Sequence, residues 1–158
     1  MGNEAHVDMA KRLNETRCAV HAAMGFDVVQ ASGDEVILEY VADARHHQDY
    51  GIVHGGVHCA VVEAACSIGA GLDATPRGQG VVGVENHTSF VRAVRTGRVR
   101  VTALPITRGR RSQLWEATAR NEQGEIVATG RVRFLCLDSG SRLAGETFTA
   151  DKWPPQQK

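Results

Sequence analysis

The sequence predicts an α+β domain in which an antiparallel sheet wraps around one long central helix. Two observations carry this prediction. Residues 57–72 are apolar almost all the way round, and a helix that is apolar on every face is buried. Strand-like segments then follow one another with no helix between them, which argues against an alternating βαβ series. A chain of 158 residues is long enough to form one such domain with a real core.

The first part of the chain supplies one helix and two strands. Residues 4–24 have apolar side chains at helical spacing, and Gly25 ends that helix. Residues 26–30 and 35–41 read as strands joined by a turn in which Gly33 can take a positive φ. A polar loop then leads into the central helix.

The last part of the chain supplies strands and a tail. The predicted strands are residues 81–91, 98–103, 113–120 and 126–137. Past Asp138 the chain is polar and contains a Pro-Pro pair, so we expect a loosely ordered end. The predicted organisation is an N-terminal helical segment (1–24), one folded domain (25–138) and a C-terminal tail (139–158).

Composition limits the partners. The 18 basic and 18 acidic side chains cancel, so net charge favours neither a nucleic acid nor a membrane as partner. We expect a cytoplasmic protein, because residues 1–16 do not resemble a signal peptide and the four cysteines show no CxxC pairing. Charge is uneven locally, since residues 86–115 contain seven arginines and no acid. Such a stretch suits either a phosphate-bearing ligand or a solvated strand face.

Glu63 is the first candidate for chemistry. It is an acid on an otherwise apolar helix, where an ionised carboxylate is costly unless it is paired or hydrogen-bonded. Two interpretations remain open from sequence alone: a catalytic carboxylate, or a structural ion pair with an arginine. Ser67 lies one turn later on the same face, within reach of the carboxylate or of a water beside it.

The start of the central helix is the second candidate. Gly55 and Gly56 bare the first backbone N–H groups, which have no partner within the helix and can stabilise a developing oxyanion. A tight entry turn is the simpler interpretation of the two glycines. Glu63 lies about 12 Å further along, at 1.5 Å per residue. A site that uses both features is therefore most easily built from two chains, which predicts at least a dimer.

These residues together resemble a known family. The stretch Gln48-Asp49-Tyr50-Gly51-Ile52-Val53-His54-Gly55-Gly56, followed by Glu63 nine residues after the histidine, is similar to the signature of hotdog-fold acyl-CoA thioesterases. The group in question is the PaaI-like one, which includes one class of 4-hydroxybenzoyl-CoA thioesterase. The likeness covers about residues 20–137.

The resemblance implies a role for each signature residue. Glu63 would be the nucleophile or general base, and Gln48 would hold the thioester carbonyl or the attacking water. The N–H of Gly55 would polarise that carbonyl, and His54 would fix the loop through its ring nitrogens. Ser67 would support the carboxylate. Gly83 falls where some relatives place a catalytic serine, which puts a mechanism that needs a hydroxyl there in doubt.

The resemblance also implies a substrate and an assembly. In the family, the nucleotide end of coenzyme A lies over the sheet edge, so Arg108, Gly109, Arg110 and Arg111 become the candidates for its phosphates. Coenzyme A would then be part of the substrate, and no separate cofactor is expected. Family members form dimers that assemble into tetramers, so a homotetramer built from site-forming homodimers is expected. Aryl and medium-chain acyl groups are both compatible with the sequence.

The sequence disfavours three alternative functions. His54 and His58 have the i, i+4 spacing of a helical zinc pair, but the HExxH glutamate is missing and no third ligand is evident, so no metal site is predicted. A hotdog-fold hydratase or dehydratase would follow a different motif. A non-catalytic acyl-CoA-binding protein would keep the arginines and lose the acid, which this chain retains.

Overall fold

The computed structural model describes residues 2–150 and residue 153, with side chains described from residue 8 onward. Three helices and two short 3-10 turns, at Ala44–His46 and Thr75–Arg77, are joined to eight strands. The helices are α1 (Gly2–Glu15), α2 (Ala19–Met24) and α3 (Gly55–Ala74). The strands are β1 (Asp27–Ala31), β2 (Val36–Ala42), β3 (Gln79–Phe90), β4 (Gly97–Arg108), β5 (Ser112–Arg120), β6 (Ile126–Asp138), β7 (Arg142–Leu143) and β8 (Glu146–Thr147).

Six of these strands form one sheet around α3. Its order is β1-β2-β4-β5-β6-β3, and every neighbouring pair is antiparallel. Twelve of the 20 residues of α3 are buried against the sheet. This helix is long and apolar enough to cross a membrane, but here it is the core of the domain. The α+β hotdog plan predicted from the sequence is confirmed.

The sheet and the helix pack through one aromatic side chain above all. Trp115 on β5 is fully buried, and its ring lies directly on the backbone of α3 at Gly69, where any side chain would collide with it. The indole Nε1 donates a 2.8 Å hydrogen bond to Oε1 of Gln113, whose own amide donates to the carbonyl of Ala70 at 3.1 Å. The two glutamine bonds satisfy buried polar atoms, and this lets a tryptophan fill the core without cost to the indole N–H.

The N-terminal part differs from the single helix expected over residues 4–24. The structure has two helices, because the hydroxyl and the N–H of Thr16 both donate to the carbonyl of Arg12 and end α1. Asn14 then ties this helix end to β1 through two 2.8 Å hydrogen bonds with the backbone of Val28. A side chain that bonds a distant strand outweighs local helical periodicity.

The C-terminal part is more ordered than expected over the residues that the structure describes. Strands β7 and β8 form a small hairpin after Asp138. The chain then returns to α3, where Ala150 is 6% exposed and Trp153 packs against the core. A polar composition predicted a loose end, but its few large apolar side chains have a surface to bury against.

Candidate active site

Glu63 lies at the middle of α3, half-buried, in a cavity of about 310 Å³. Among the described residues, none donates a hydrogen bond to its carboxylate, and no arginine, lysine or histidine pairs with it. Burial raises the pKa of this carboxyl above its ordinary value of 4.5. The structural ion pair that remained open from sequence is therefore absent from the described part of the chain.

Ser67 lines the same cavity, one helical turn beyond Glu63. The remaining walls combine small, apolar and aromatic side chains from α2, α3, β3 and the C-terminal end. They are His21, Ala64, Ile68, Gly71, Thr75, Gly80, Val81, Phe148, Ala150 and Trp153. Burial, with a smaller contribution from Arg17, lowers the pKa of His21 and favours its neutral form. Glu63 is therefore the one acidic side chain among the described residues that line this cavity.

Gly83 lies opposite the carboxylate on β3. A Cβ placed on this glycine would stand 3.5 Å from Oε1 of Glu63, an ordinary van der Waals contact. The strand therefore approaches the acid closely at this point and offers it no hydroxyl. Gly83, where the resemblance pointed to a serine in some family members, is thus next to the acid in space.

The start of α3 exposes backbone donors. His54 is the N-cap residue, and its Nδ1 accepts a 2.8 Å hydrogen bond from the N–H of Gly56. The ring of Phe90 lies against Gly55, because a Cβ there would be 2.5 Å from it. No described residue accepts a hydrogen bond from the N–H of Gly55. His54 thus organises the helix start, and Gly55 leaves one donor available.

Gln48 belongs to this second region. Its Oε1 accepts a 2.6 Å hydrogen bond from the N–H of Tyr50, and its backbone N–H donates to the carbonyl of Ile52 at 2.9 Å. The turn holds the side chain so that its amide NH₂ can donate to a ligand. Gln48 and Gly55 line one cavity of about 280 Å³, together with the buried ring of His58, whose pKa is lowered by burial.

The two cavities share no lining residue within one chain. Glu63 and Ser67 line one, Gln48 and Gly55 line the other, and His54 lines neither cavity. Strand β3 lies at one edge of the sheet, pairs only with β6, and carries exposed apolar side chains, including Val84 and Phe90. A long apolar edge of this kind is suited to pairing with another chain.

The predicted phosphate-binding arginines separate into two groups. Gly109, Arg110 and Arg111 line an open cavity of about 740 Å³ at the turn between β4 and β5. Arg108 points elsewhere: it donates to the carboxylate of Asp34 at 2.6 Å and to the carbonyl of Gly33 at 3.0 Å. These two hydrogen bonds tie Arg108 to the β1–β2 turn, so its guanidinium is not free to bind a phosphate.

Three of the other four arginines of the acid-free stretch form ion pairs with acids from distant parts of the chain. Arg98 and Arg100 on β4 both bind Glu39 on the neighbouring strand β2. Arg92 pairs with Glu125 at 3.4 Å, and Arg95 donates to the backbone carbonyls of Tyr50 and Gly51. The local charge excess is therefore only partly balanced: Arg98 and Arg100 share one acid. No described acid forms a salt bridge with Arg95, Arg110 or Arg111.

Sequence reasoning missed four side chains near the two cavities. Phe148 and Trp153 were assigned to a loose tail, although two large aromatic residues in a polar stretch are a sign of packing. His21 was hidden in a helix expected to be continuous. His58 was considered only as a zinc ligand, whereas its ring packs 6.0 Å from that of Phe90 beside Gly55.

The fold agrees with the comparison to known proteins. Residues 50–128 match the family model described as "Thioesterase superfamily", and the chain belongs to this family. The proofreading thioesterase EntH of Cronobacter sakazakii is 38% identical over 118 residues, which are 75% of this chain and 80% of that protein.

A Mycobacterium tuberculosis protein whose name assigns it provisionally to the esterases is 45% identical over 91 residues. That match spans 56% of this chain and 65% of the relative, slightly less than two thirds of its length. The solved structure of this mycobacterial protein superposes with a TM-score of 0.76 at 35% identity, covering 80% of this chain and 100% of that one. A thioesterase from Haemophilus influenzae superposes with a TM-score of 0.77 at 27% identity, covering 82% of this chain and 90% of that one.

Proposed function

We propose that this protein hydrolyses an acyl-CoA thioester to a free acid and coenzyme A, with Glu63 as its catalytic carboxylate. The observation that carries the proposal is the environment of Glu63: a half-buried acid with no ion pair among the described residues, in a cavity beside Ser67. An unpaired carboxylate with a raised pKa is costly for folding, and such groups concentrate at catalytic sites. Membership of the thioesterase superfamily supports the same reaction.

The reaction needs two groups of residues to act on one carbonyl. The amide of Gln48 and the N–H of Gly55 would hold the thioester oxygen and stabilise the negative charge that forms on it. Glu63 would either attack the acyl carbon or remove a proton from a water that attacks it. Water supplies the hydroxyl of the acid and the proton of the thiol in both routes, and the thiolate of coenzyme A leaves.

The site would be completed by a second chain. Glu63 and Gly55 line separate cavities of one chain, and β3 offers an unpaired apolar edge. A dimer paired along β3 would be an isologous one, in which each chain gives its Glu63 to one site and its Gln48 and Gly55 to the other. A homotetramer of such dimers is part of the proposal.

Coenzyme A recognition is assigned to the arginine turn. Arg110 and Arg111 both line the open cavity at the turn between β4 and β5, and neither forms a salt bridge with a described acid. Guanidinium groups bind phosphate through charge-assisted and often bidentate hydrogen bonds. Arg108 is left out of this set because Asp34 and Gly33 already hold it.

Thiol release tests the proposal directly. We expect turnover of at least one member of a panel of aryl- and alkyl-CoA esters, and a loss of kcat/KM of about 10²-fold or more in Glu63→Gln. Glu116→Gln is the matched control, because Glu116 is an exposed acid on β5 that faces Arg131 and lines neither cavity. Its activity should equal that of the parent.

Two outcomes would contradict the proposal. If Glu63→Gln is as active as the parent, Glu63 is not the catalytic carboxylate. If no ester in the panel turns over while acyl-CoA still binds, the protein is a non-catalytic acyl-CoA-binding protein.

A further inference from the structure

The cavity that contains Glu63 runs along one face of α3. Glu63, Ser67, Gly71 and Thr75 are spaced four residues apart and all line it. From Glu63 to Gly71 the helix rises about 12 Å, at 1.5 Å per residue. An acyl group that reacts beside Glu63 would therefore extend along this face towards Gly71 and Thr75.

Two aromatic rings from the C-terminal segment, defined as residues 148–150 and 153, line this cavity at Gly71 and Gly80. The ring of Trp153 lies on the backbone of α3, because a Cβ on Gly71 would be 2.6 Å from its Cζ3. The ring of Phe148 lies on β3 in the same way, in direct contact with the position of a Cβ on Gly80. Both rings occupy places that only glycine leaves open.

Backbone hydrogen bonds hold the C-terminal segment in this position. The N–H of Phe148 donates to the carbonyl of Ser141 at 2.8 Å, and its carbonyl accepts from Gly140 at 2.9 Å. The N–H of Ala150 donates to the hydroxyl of Ser139 at 3.0 Å. The hydroxyl of Thr75 donates to the carbonyl of Gly71 at 2.9 Å and lies 3.5 Å from the carbonyl of Trp153. The two rings are thus fixed walls of the cavity.

We propose that Phe148 and Trp153 determine which acyl group this protein accepts, by setting the length of the cavity beyond Glu63. The proposal rests on the function proposed above, since it assumes that the acyl group enters this cavity. A cavity of about 310 Å³ is roughly twice the 150 Å³ that holds benzene in a protein core. The class of substrate is therefore a compact acyl group, such as an aryl or short alkyl one. A long straight chain would collide with Trp153.

Chain-length profiles test the proposal. We would measure kcat/KM for a series of straight-chain acyl-CoA esters of increasing length, with benzoyl- and phenylacetyl-CoA beside them, in the parent, Trp153→Ala and Phe148→Ala. Each methylene that a pocket accepts or rejects changes kcat/KM by about 10-fold or more. We expect Trp153→Ala to raise the ratio of long-chain to short-chain kcat/KM at least about tenfold, and Phe148→Ala to act in the same direction.

A matched control separates the cavity wall from simple stability. Leu143→Ala removes an apolar side chain from the same C-terminal region, on β7, where it is exposed and lines no part of the cavity. It should leave the profile unchanged. If Trp153→Ala lowers kcat/KM equally for every ester, as a purely structural residue would, the proposal is overturned. Should Trp153→Ala fail to fold, Trp153→Leu shortens the wall less drastically and must shift the profile in the same direction.

A binding measurement distinguishes this inference from the proposed function. Non-hydrolysable S-alkyl-CoA thioethers of increasing length would be titrated into the parent, Trp153→Ala and Glu63→Gln by calorimetry. If affinity stops rising at a longer chain in Trp153→Ala than in the parent, the wall is confirmed even where no ester is hydrolysed. If esters are hydrolysed but Trp153→Ala has the same chain-length limit as the parent, only the proposed role of Phe148 and Trp153 is overturned. If no thioether binds, both proposals are overturned.

Discussion

Two regions of α3 carry the candidate chemistry, and their surroundings are opposite in kind. At the helix start His54 and Gly56 are exposed, Gly55 has no side chain, and backbone N–H groups are the functional atoms. At the middle, the functional atom is the carboxylate of Glu63, enclosed by small and aromatic side chains. The first region provides donors that a ligand can approach, and the second provides a base whose pKa is raised by burial.

The difference gives the physical basis for proposing a site that is shared between two chains. An oxyanion needs donors at a helix end, where the N–H groups have no partner within the helix. A base with a raised pKa needs desolvation, which the core of the sheet supplies in the middle of the helix. Gly55 and Glu63 are about two turns apart on one helix, and the proposed site therefore relies on a second copy to bring its helix start to the acid.

Complementation between two inactive variants tests whether the two regions act together across two chains, and it should give the largest change in activity. Glu63→Gln and Gln48→Ala should each lose about 10²-fold in activity, because one removes the base and the other an oxyanion donor. After equal amounts are unfolded together and refolded, half of the dimers are mixed. Each mixed dimer has one intact site, so activity should return to about a quarter of the parent value.

The control for complementation is Glu63→Gln refolded with the double variant Glu63→Gln/Gln48→Ala. No intact site can form in that mixture, and no activity should return. If the first mixture also stays inactive, Glu63 and Gln48 act within one chain and the two-chain site is wrong.

Substitutions in the turn between β4 and β5 test how the nucleotide end of the substrate is bound. Arg110→Ala and Arg111→Ala should each raise KM for an acyl-CoA ester about 10-fold, because a hydrogen bond to a charged group is lost. A truncated thioester without the nucleotide should show no change. Arg108→Ala is the matched control, since its partners are Asp34 and Gly33, and it should leave both KM values unaltered. Equal effects of all three variants would show that the turn acts only through stability.

The pH dependence should show the smallest effect. The acid limb of kcat/KM should lie above pH 4.5, because Glu63 must be ionised to act and burial raises its pKa. The folded protein holds this proton more tightly than the unfolded chain, so the acid lowers stability as pH rises through the folded-state pKa. Glu63→Gln should therefore have a higher Tm than the parent at pH 7, and the gain should vanish below pH 4.5. A Tm that is lower in the variant at pH 7 would mean that the carboxylate stabilises the fold.

Several features of the fold followed from local patterns. An apolar stretch of the right length predicted α3, and alternating strands after it predicted the antiparallel sheet. The motif from Gln48 to Glu63 indicated the residues on which the site is proposed. These predictions were possible because the hydrophobic pattern of a short stretch of sequence indicates both a buried helix and the alternation of a strand.

Other features depended on contacts between residues far apart in the chain. The helix break after α1 accompanies the hydrogen bond from Asn14 to β1. Arg108 is not among the proposed phosphate ligands because it binds Asp34, which lies in the turn between β1 and β2. The order of the C-terminal segment comes from glycines at positions 71 and 80, which receive Trp153 and Phe148. Spacing along the chain does not encode such pairings.

By itself, then, the sequence determined the α+β class, the buried central helix and the motif that contains an acid with no evident partner. Only the tertiary structure decided that this acid is unpaired among the described residues. It also decided that Phe148 and Trp153 line the cavity around Glu63, whereas Gln48 and Gly55 line a different cavity. The physical reason is that periodicity records whether a side chain is buried. The identity of the neighbours that bury it is set by how distant strands and the C-terminal segment pack on one helix.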